Sequence, residues 1–252
     1  MYIEQGGEGA DLLVMLHGLG ATAAVWSPMC AQASERWRGR WVSMDLPGHG
    51  ESARQDTYAI GQYAASVARA LLPHVDPGGR ITVLGHSLGG VIALALATGW
   101  FGVAPHRVFG AGIKVAWDDD ELRRMELLAR QPTRFFAAQA QAADRYLKVS
   151  GLAGIASAES PVAARGIAQD ADDWRLAMDP RAFGVGRPPT AELMALARCP
   201  AHLGRGADDA MVTLEQLRAI DPHAQDLGPH GHNVMVEAHA QVWDWIESLN
   251  PA

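Results

Sequence analysis

Ile81-Thr82-Val83-Leu84-Gly85-His86-Ser87-Leu88-Gly89-Gly90 decides how this chain folds. Its first four residues form a short apolar and β-branched run stopped by glycine, the pattern of a strand buried on both faces. Residues 88–98 carry a helical pattern, so the glycines lie in a strand-to-helix turn. A turn this tight has room only for glycine two residues either side of Ser87, and it pushes the serine hydroxyl out above the sheet. The helix that follows aims its unbonded N–H groups and positive dipole end at the same spot, which favours a developing negative charge. Ser87 is therefore the candidate nucleophile.

Similar apolar runs occur at Leu12–Leu16, 40–45 and 107–111, with shorter ones at 201–204 and 224–227. Helical patterns at 26–37, 60–75, 214–220 and 234–249 fall between or after them. Strands alternating with helices of this length predict an α/β fold, a mostly parallel, doubly wound sheet with helices on both faces. Residues 117–196 break the alternation. They are rich in Ala, Glu, Arg and Gln, punctuated by Pro132, Gly151, Gly154, Pro161, Pro180 and Pro188-Pro189, and show no buried strand. The expected organisation is a core of 1–116 and 197–252 with a helical cap of 117–196 over the carboxyl ends of the strands, where open α/β sheets bind ligands.

Composition narrows the function classes. The chain has 252 residues, 48% hydrophobic and 19% charged, which excludes intrinsic disorder. Lys and Arg number 21 against 28 Asp and Glu, a net charge of −7 with no basic cluster, so nucleic acid is not an expected partner. Cys30 and Cys199 are too few for a disulfide framework. The first residues lack a basic segment followed by an apolar one, and no apolar run is long enough to span a bilayer. A cytoplasmic protein is expected. No metal or organic cofactor is implied, and the sequence leaves the oligomeric state open.

A serine hydroxyl needs a base to take its proton, and histidine, with an ordinary pKa of about 6.5, suits that task near neutral pH. Among ten histidines, His230 and His232 lie in Gly228-Pro229-His230-Gly231-His232-Asn233, a loop joining the last strand to the last helix. His232 adjoins the helix start and is the choice, with His230 in reserve. The acid that orients the imidazole is expected in a loop after an earlier strand. Gly206-Ala207-Asp208-Asp209 offers two aspartates, one of which is free to cap the following helix. Two N–H donors should hold the oxyanion: Leu88, next to the nucleophile, and Leu19 in His17-Gly18-Leu19-Gly20.

Taken together, His17-Gly18-Leu19-Gly20, Asp45-Leu46-Pro47-Gly48-His49-Gly50-Glu51-Ser52, the Ser87 turn, Gly206-Ala207-Asp208-Asp209 and Gly231-His232 resemble the α/β-hydrolase superfamily across about residues 12–249. The resemblance implies Ser87 as nucleophile, His232 as base and Asp209 rather than Asp208 as acid. It also implies that residues 117–196 correspond to the variable cap of that family. The Asp45-to-Ser52 segment is implied to be structural.

The expected activity is hydrolysis of small carboxylic esters or lactones. Alternatives on the same framework are cleavage of a carbon–carbon bond in dienoate or diketone ring-cleavage products, and a non-enzymatic ligand receptor. Trp26, Lys114, Trp117, Phe135, Phe136 and Trp174 are the candidate residues for the substrate pocket.

Overall fold

The computed structural model describes residues 1–249. Its strands are β1 (Ile3–Gly7), β2 (Leu12–Leu16), β3 (Arg40–Met44), β4 (Ile81–His86), β5 (Arg107–Ala111), β6 (Phe135–Phe136), β7 (Ile167–Asp170), β8 (Asp173–Leu176), β9 (Ala201–Arg205) and β10 (Gln225–Asp226). The helices are α1 (Ser27–Arg36), α2 (Ile60–Leu71), α3 (Leu88–Ala97), α4 (Asp119–Ala129), α5 (Gln139–Val149), α6 (Pro161–Arg165), α7 (Thr190–Ala195), α8 (Leu214–Arg218), α9 (Val234–Glu237) and α10 (His239–Leu249).

Seven strands form one sheet in the order β1-β3-β2-β4-β5-β9-β10, and every pairing is parallel except β1 with β3. The alternation of the pleat divides β2 between two cores. Leu12, Val14 and Leu16 join the cluster under α2 and α3, while Leu13 and Met15 join the one under α1 and α10. All ten residues of α3 are buried, so the helix carrying the Ser87 turn sits at the centre of the molecule.

Two expectations need correction, and one strand has no counterpart in the sequence reading. The N-terminal Ile3–Gly7 is an edge strand, a role its Gly-rich sequence conceals. The single helix expected over 234–249 is two, α9 and α10, broken at Ala238. The segment 117–196 is not all helical: β6, β8 and β7 form a small antiparallel sheet within it, and Phe135 and Phe136 lie in β6 rather than in a helix. These strands are two to four residues long and largely half-buried or exposed, so no apolar run marks them.

That segment is fastened to the rest of the chain by polar contacts. Asp179 donates its N–H to Gly48 O at 2.7 Å and accepts the Tyr58 hydroxyl at 2.8 Å. Arg181 pairs with the same carboxylate, which holds the Asp179 carboxyl below its ordinary pKa despite its burial.

Candidate active site

Ser87 follows β4 and is the N-cap of α3, with φ 50° and ψ −116°. A non-glycine residue held at positive φ is strained, and it persists only where the surroundings over-determine it. Two contacts do so here. The Ser87 N–H donates to Ala111 O at the end of β5 (2.9 Å), and Ser87 O accepts from Gly90 N (2.9 Å). A Cβ on Gly85 would stand 2.2 Å from Gly89 O, and one on Gly89 2.2 Å from Leu16 O, so both positions require glycine. Leu88 is the first residue of α3, and its N–H has no acceptor within the helix.

The loop after β9 delivers Asp209, whose side chain is fully buried. Its Oδ2 accepts from Nδ1 of His232 at 2.9 Å, and its Oδ1 accepts from the Met211 N–H at 2.8 Å. Asp208 is exposed and makes no such contact. Neither aspartate caps α8; Thr213 does, in a reciprocal pair with Gln216. The two loops press together so closely that a Cβ on Gly206 would lie 2.1 Å from His230 O. With Nδ1 donating to the carboxylate, the neutral imidazole of His232 carries its lone pair on Nε2.

A cavity of about 480 Å³ is lined by Ser87, Leu88, His232, Gly18 and Leu19, so the candidate nucleophile, base and oxyanion donors share one space. Its other walls come largely from 117–196, through Met125 and Leu128 of α4 together with Val149 and Phe183. Of the candidate pocket residues, Lys114 and Trp117 line it; Lys114 ion-pairs with Glu121 and sits 5.1 Å over the Trp117 ring. Trp26 does not line it. Its side chain is fully buried in the core beside Val25 and Met29, because the 3₁₀ turn Ala23–Trp26 packs under the sheet. Phe136 lines a neighbouring cavity, Phe135 is exposed, and Trp174 packs half-buried against the core below α5. Among the described residues no group of three or more His, Cys, Asp or Glu is arranged to hold a metal ion.

Sequence reasoning assigned no role to three buried histidines that shape this site. His17 accepts the Leu46 N–H at Nε2 (2.9 Å) and donates from Nδ1 to Gly18 O (2.7 Å). His49 accepts the Gly20 N–H at Nε2 (3.1 Å) and donates from Nδ1 to Pro47 O (3.1 Å). Each imidazole thus uses one nitrogen as donor and the other as acceptor, which requires the neutral form. Burial lowers the pKa of His17 to about 4 and that of His49 to about 3. Asp45 completes the frame by accepting the N–H groups of Ala23 (2.7 Å) and Glu51 (2.9 Å). The Gly20 N–H is therefore held by a side chain 29 positions away, and the Ala23 N–H just beyond it by one 22 positions away. The third, His86, ties the Ser87 turn to the His232 loop. The repeated His-Gly pairing in 17–18 and 49–50 was the available signal.

The fold and the ordered motifs define a hydrolase scaffold. Residues 13–245 match the model of the alpha/beta hydrolase family, and the chain belongs to that family. It is 39% identical over 110 residues to a dihydrolipoyllysine-residue acetyltransferase component of an acetoin cleaving system from Pseudomonas putida, covering 42% of this chain and 27% of that protein. It is also 39% identical over 97 residues to a pimeloyl-(acyl-carrier protein) methyl ester esterase from Vibrio cholerae serotype O1, covering 38% of this chain and 34% of the relative. The chain thus spans only about a third of the length of these relatives. Among solved structures, E-2-(acetamidomethylene)succinate hydrolase superposes with a TM-score of 0.78 at 20% identity, over 98% of this chain and 93% of that one. An esterase from Mycobacterium tuberculosis superposes with a TM-score of 0.74 at 20% identity, over 98% and 90% of the two chains. The family match and the structural likenesses establish membership of the alpha/beta hydrolase family and its fold.

Proposed function

We propose that the protein is a serine hydrolase of small carboxylic esters or lactones, acting through an acyl-enzyme on Ser87. One observation carries the reading: a fully buried carboxylate, Asp209, accepts from Nδ1 of His232, and that imidazole opens onto the same cavity as the strained Ser87 turn. A ligand receptor would need neither the buried acid nor the strained serine.

In the first step Ser87 Oγ bonds to the carbonyl carbon while its proton passes to Nε2 of His232. The carbonyl oxygen, now negative, is held by the N–H groups of Leu19 and Leu88, and each such donor contributes about 3 kcal/mol to the transition state. The bond to the alcohol oxygen then breaks as His232 returns the proton to it. Water, giving its proton to the same Nε2, attacks the acyl carbon, and the bond to Ser87 Oγ breaks as His232 passes that proton to it, freeing the acid and restoring Ser87. Asp209 holds the imidazole in the required tautomer throughout. Residues 117–196 act as a lid over this chemistry, a role supported by the contributions of Met125, Leu128 and Phe183 to the cavity wall.

The cytoplasm is the compartment we favour, in keeping with two free cysteines; among the described residues no helix is long and apolar enough to cross a membrane. The test is a substrate panel of acyl esters, lactones and dienoate diketones, run with the wild type and Ser87→Ala. Turnover of esters or lactones that falls by about 10³-fold or more in the variant supports the reading. Turnover confined to the diketones would replace it with carbon–carbon cleavage.

A further inference from the structure

Beside the Ser87 cavity lies a second of about 430 Å³, and the two share Leu128, Val149 and Phe183 in their walls. The two cavities thus adjoin along these apolar side chains. The charged residues lining the second cavity are Arg134 and Arg145, with no carboxylate beside them. Both are exposed, and neither has an ion pair among the described residues. The Arg134 guanidinium lies 4.9 Å over the Phe136 ring, a cation–π contact.

The Ser87 cavity shows the same bias. The only two lysines in the sequence, Lys114 and Lys148, both line it together with Arg124, against a single carboxylate, Glu121, already paired with Lys114. Five cations and one acid therefore surround two adjoining cavities in a chain of net charge −7. The cations come from separate segments: the exit of β5, α4, the approach to β6, and α5. A concave surface lined by one sign of charge focuses its field on whatever enters.

We infer that the adjoining cavities take an ester whose carbonyl sits at Ser87 and whose far end carries an anion, a carboxylate or a phosphate, held by Arg134 and Arg145. This inference rests on the hydrolase reading above. The shared Leu128, Val149 and Phe183 wall faces the apolar chain between the two ends. The planar guanidinium groups match either anion, each offering two parallel N–H donors.

Two arms of paired substrates test it. The carboxylate arm compares monomethyl esters of dicarboxylic acids, of rising chain length, with the neutral dimethyl esters. The phosphate arm compares acyl-phosphopantetheine thioesters with the acyl-pantetheine thioesters that lack the phosphate. In at least one arm the anionic member should show kcat/KM higher by about fivefold, as expected for two exposed charge pairs. That preference should vanish in the Arg134→Gln/Arg145→Gln double variant and shrink in 1 M salt. Equal turnover of both members in both arms, or a preference that survives the double substitution, overturns the anion subsite alone. Absence of turnover of every ester together with no covalent fluorophosphonate adduct on Ser87 overturns the hydrolase reading, and the subsite with it.

Discussion

His86 donates from Nε2 to the carbonyl oxygen of His232 across 2.9 Å, tying the strand-to-helix turn directly to the loop that carries the candidate base. The two rings meet edge-on, 4.6 Å apart. A carbonyl can only accept, so His86 holds its proton on Nε2, and burial keeps the ring well below its ordinary pKa. His86 is thus a positioning residue for His232.

Replacing His86 with Leu removes that donor while leaving the cavity apolar. We expect kcat to fall about tenfold with KM little changed, and His86→Gln, whose amide can still donate, to recover part of the loss. Steady-state kinetics on one ester check this; equal losses in both variants would make His86 merely a packing residue.

The adjacent aspartates should behave very differently. Asp209→Asn removes the buried acceptor that fixes the His232 tautomer and should lower kcat by about 10³–10⁴-fold. Asp208→Asn changes an exposed side chain and should cost less than about twofold. The opposite ranking would transfer the role to Asp208.

Acid should destabilise the fold before it titrates the carboxylates. The folded chain keeps His17 and His49 neutral down to about pH 4 and 3, whereas in the unfolded chain both take up protons below about pH 6.5. The unfolded state binds more protons in that window, so stability drops as the pH drops, by about 2 kcal/mol for each histidine between pH 6.5 and 5. Urea unfolding at pH 7 and pH 5 measures the difference. A stability unchanged over that range would contradict the buried, neutral assignment.

Two glycines offer a stability contrast. Gly85→Ala would drive a Cβ into Gly89 O at 2.2 Å and should prevent folding to the native state. Gly61 is exposed on α2, and a Cβ added there would meet nothing within 4 Å, so it should accept Ala with a gain of about 0.5 kcal/mol. Thermal melts of the two variants give the comparison.

The Ser87 turn and the parallel sheet are legible in the sequence because both depend on local spacing, glycines at fixed offsets and short apolar runs. The choice between Asp208 and Asp209 is not local, since it turns on which carboxylate meets His232, 23 positions further along the chain. Trp26 illustrates the same limit. It lies close to the Leu19 loop in sequence, but its 3₁₀ turn directs the ring into the core. The short strands within 117–196 escape notice because they bury too little apolar surface to leave a pattern. His17, His49 and His86 read as polar residues near motifs, while their partners lie up to 146 positions away.

The central claim is that Ser87, activated by His232, forms a covalent bond to an acyl carbon. The most direct measurement is mass spectrometry of the protein after exposure to a fluorophosphonate, which reports the nucleophile without knowledge of the substrate. The expected result is one adduct, on the peptide containing Ser87, abolished in Ser87→Ala and strongly slowed in His232→Ala. A wild-type protein that remains unlabelled, or one labelled at another serine, would contradict it.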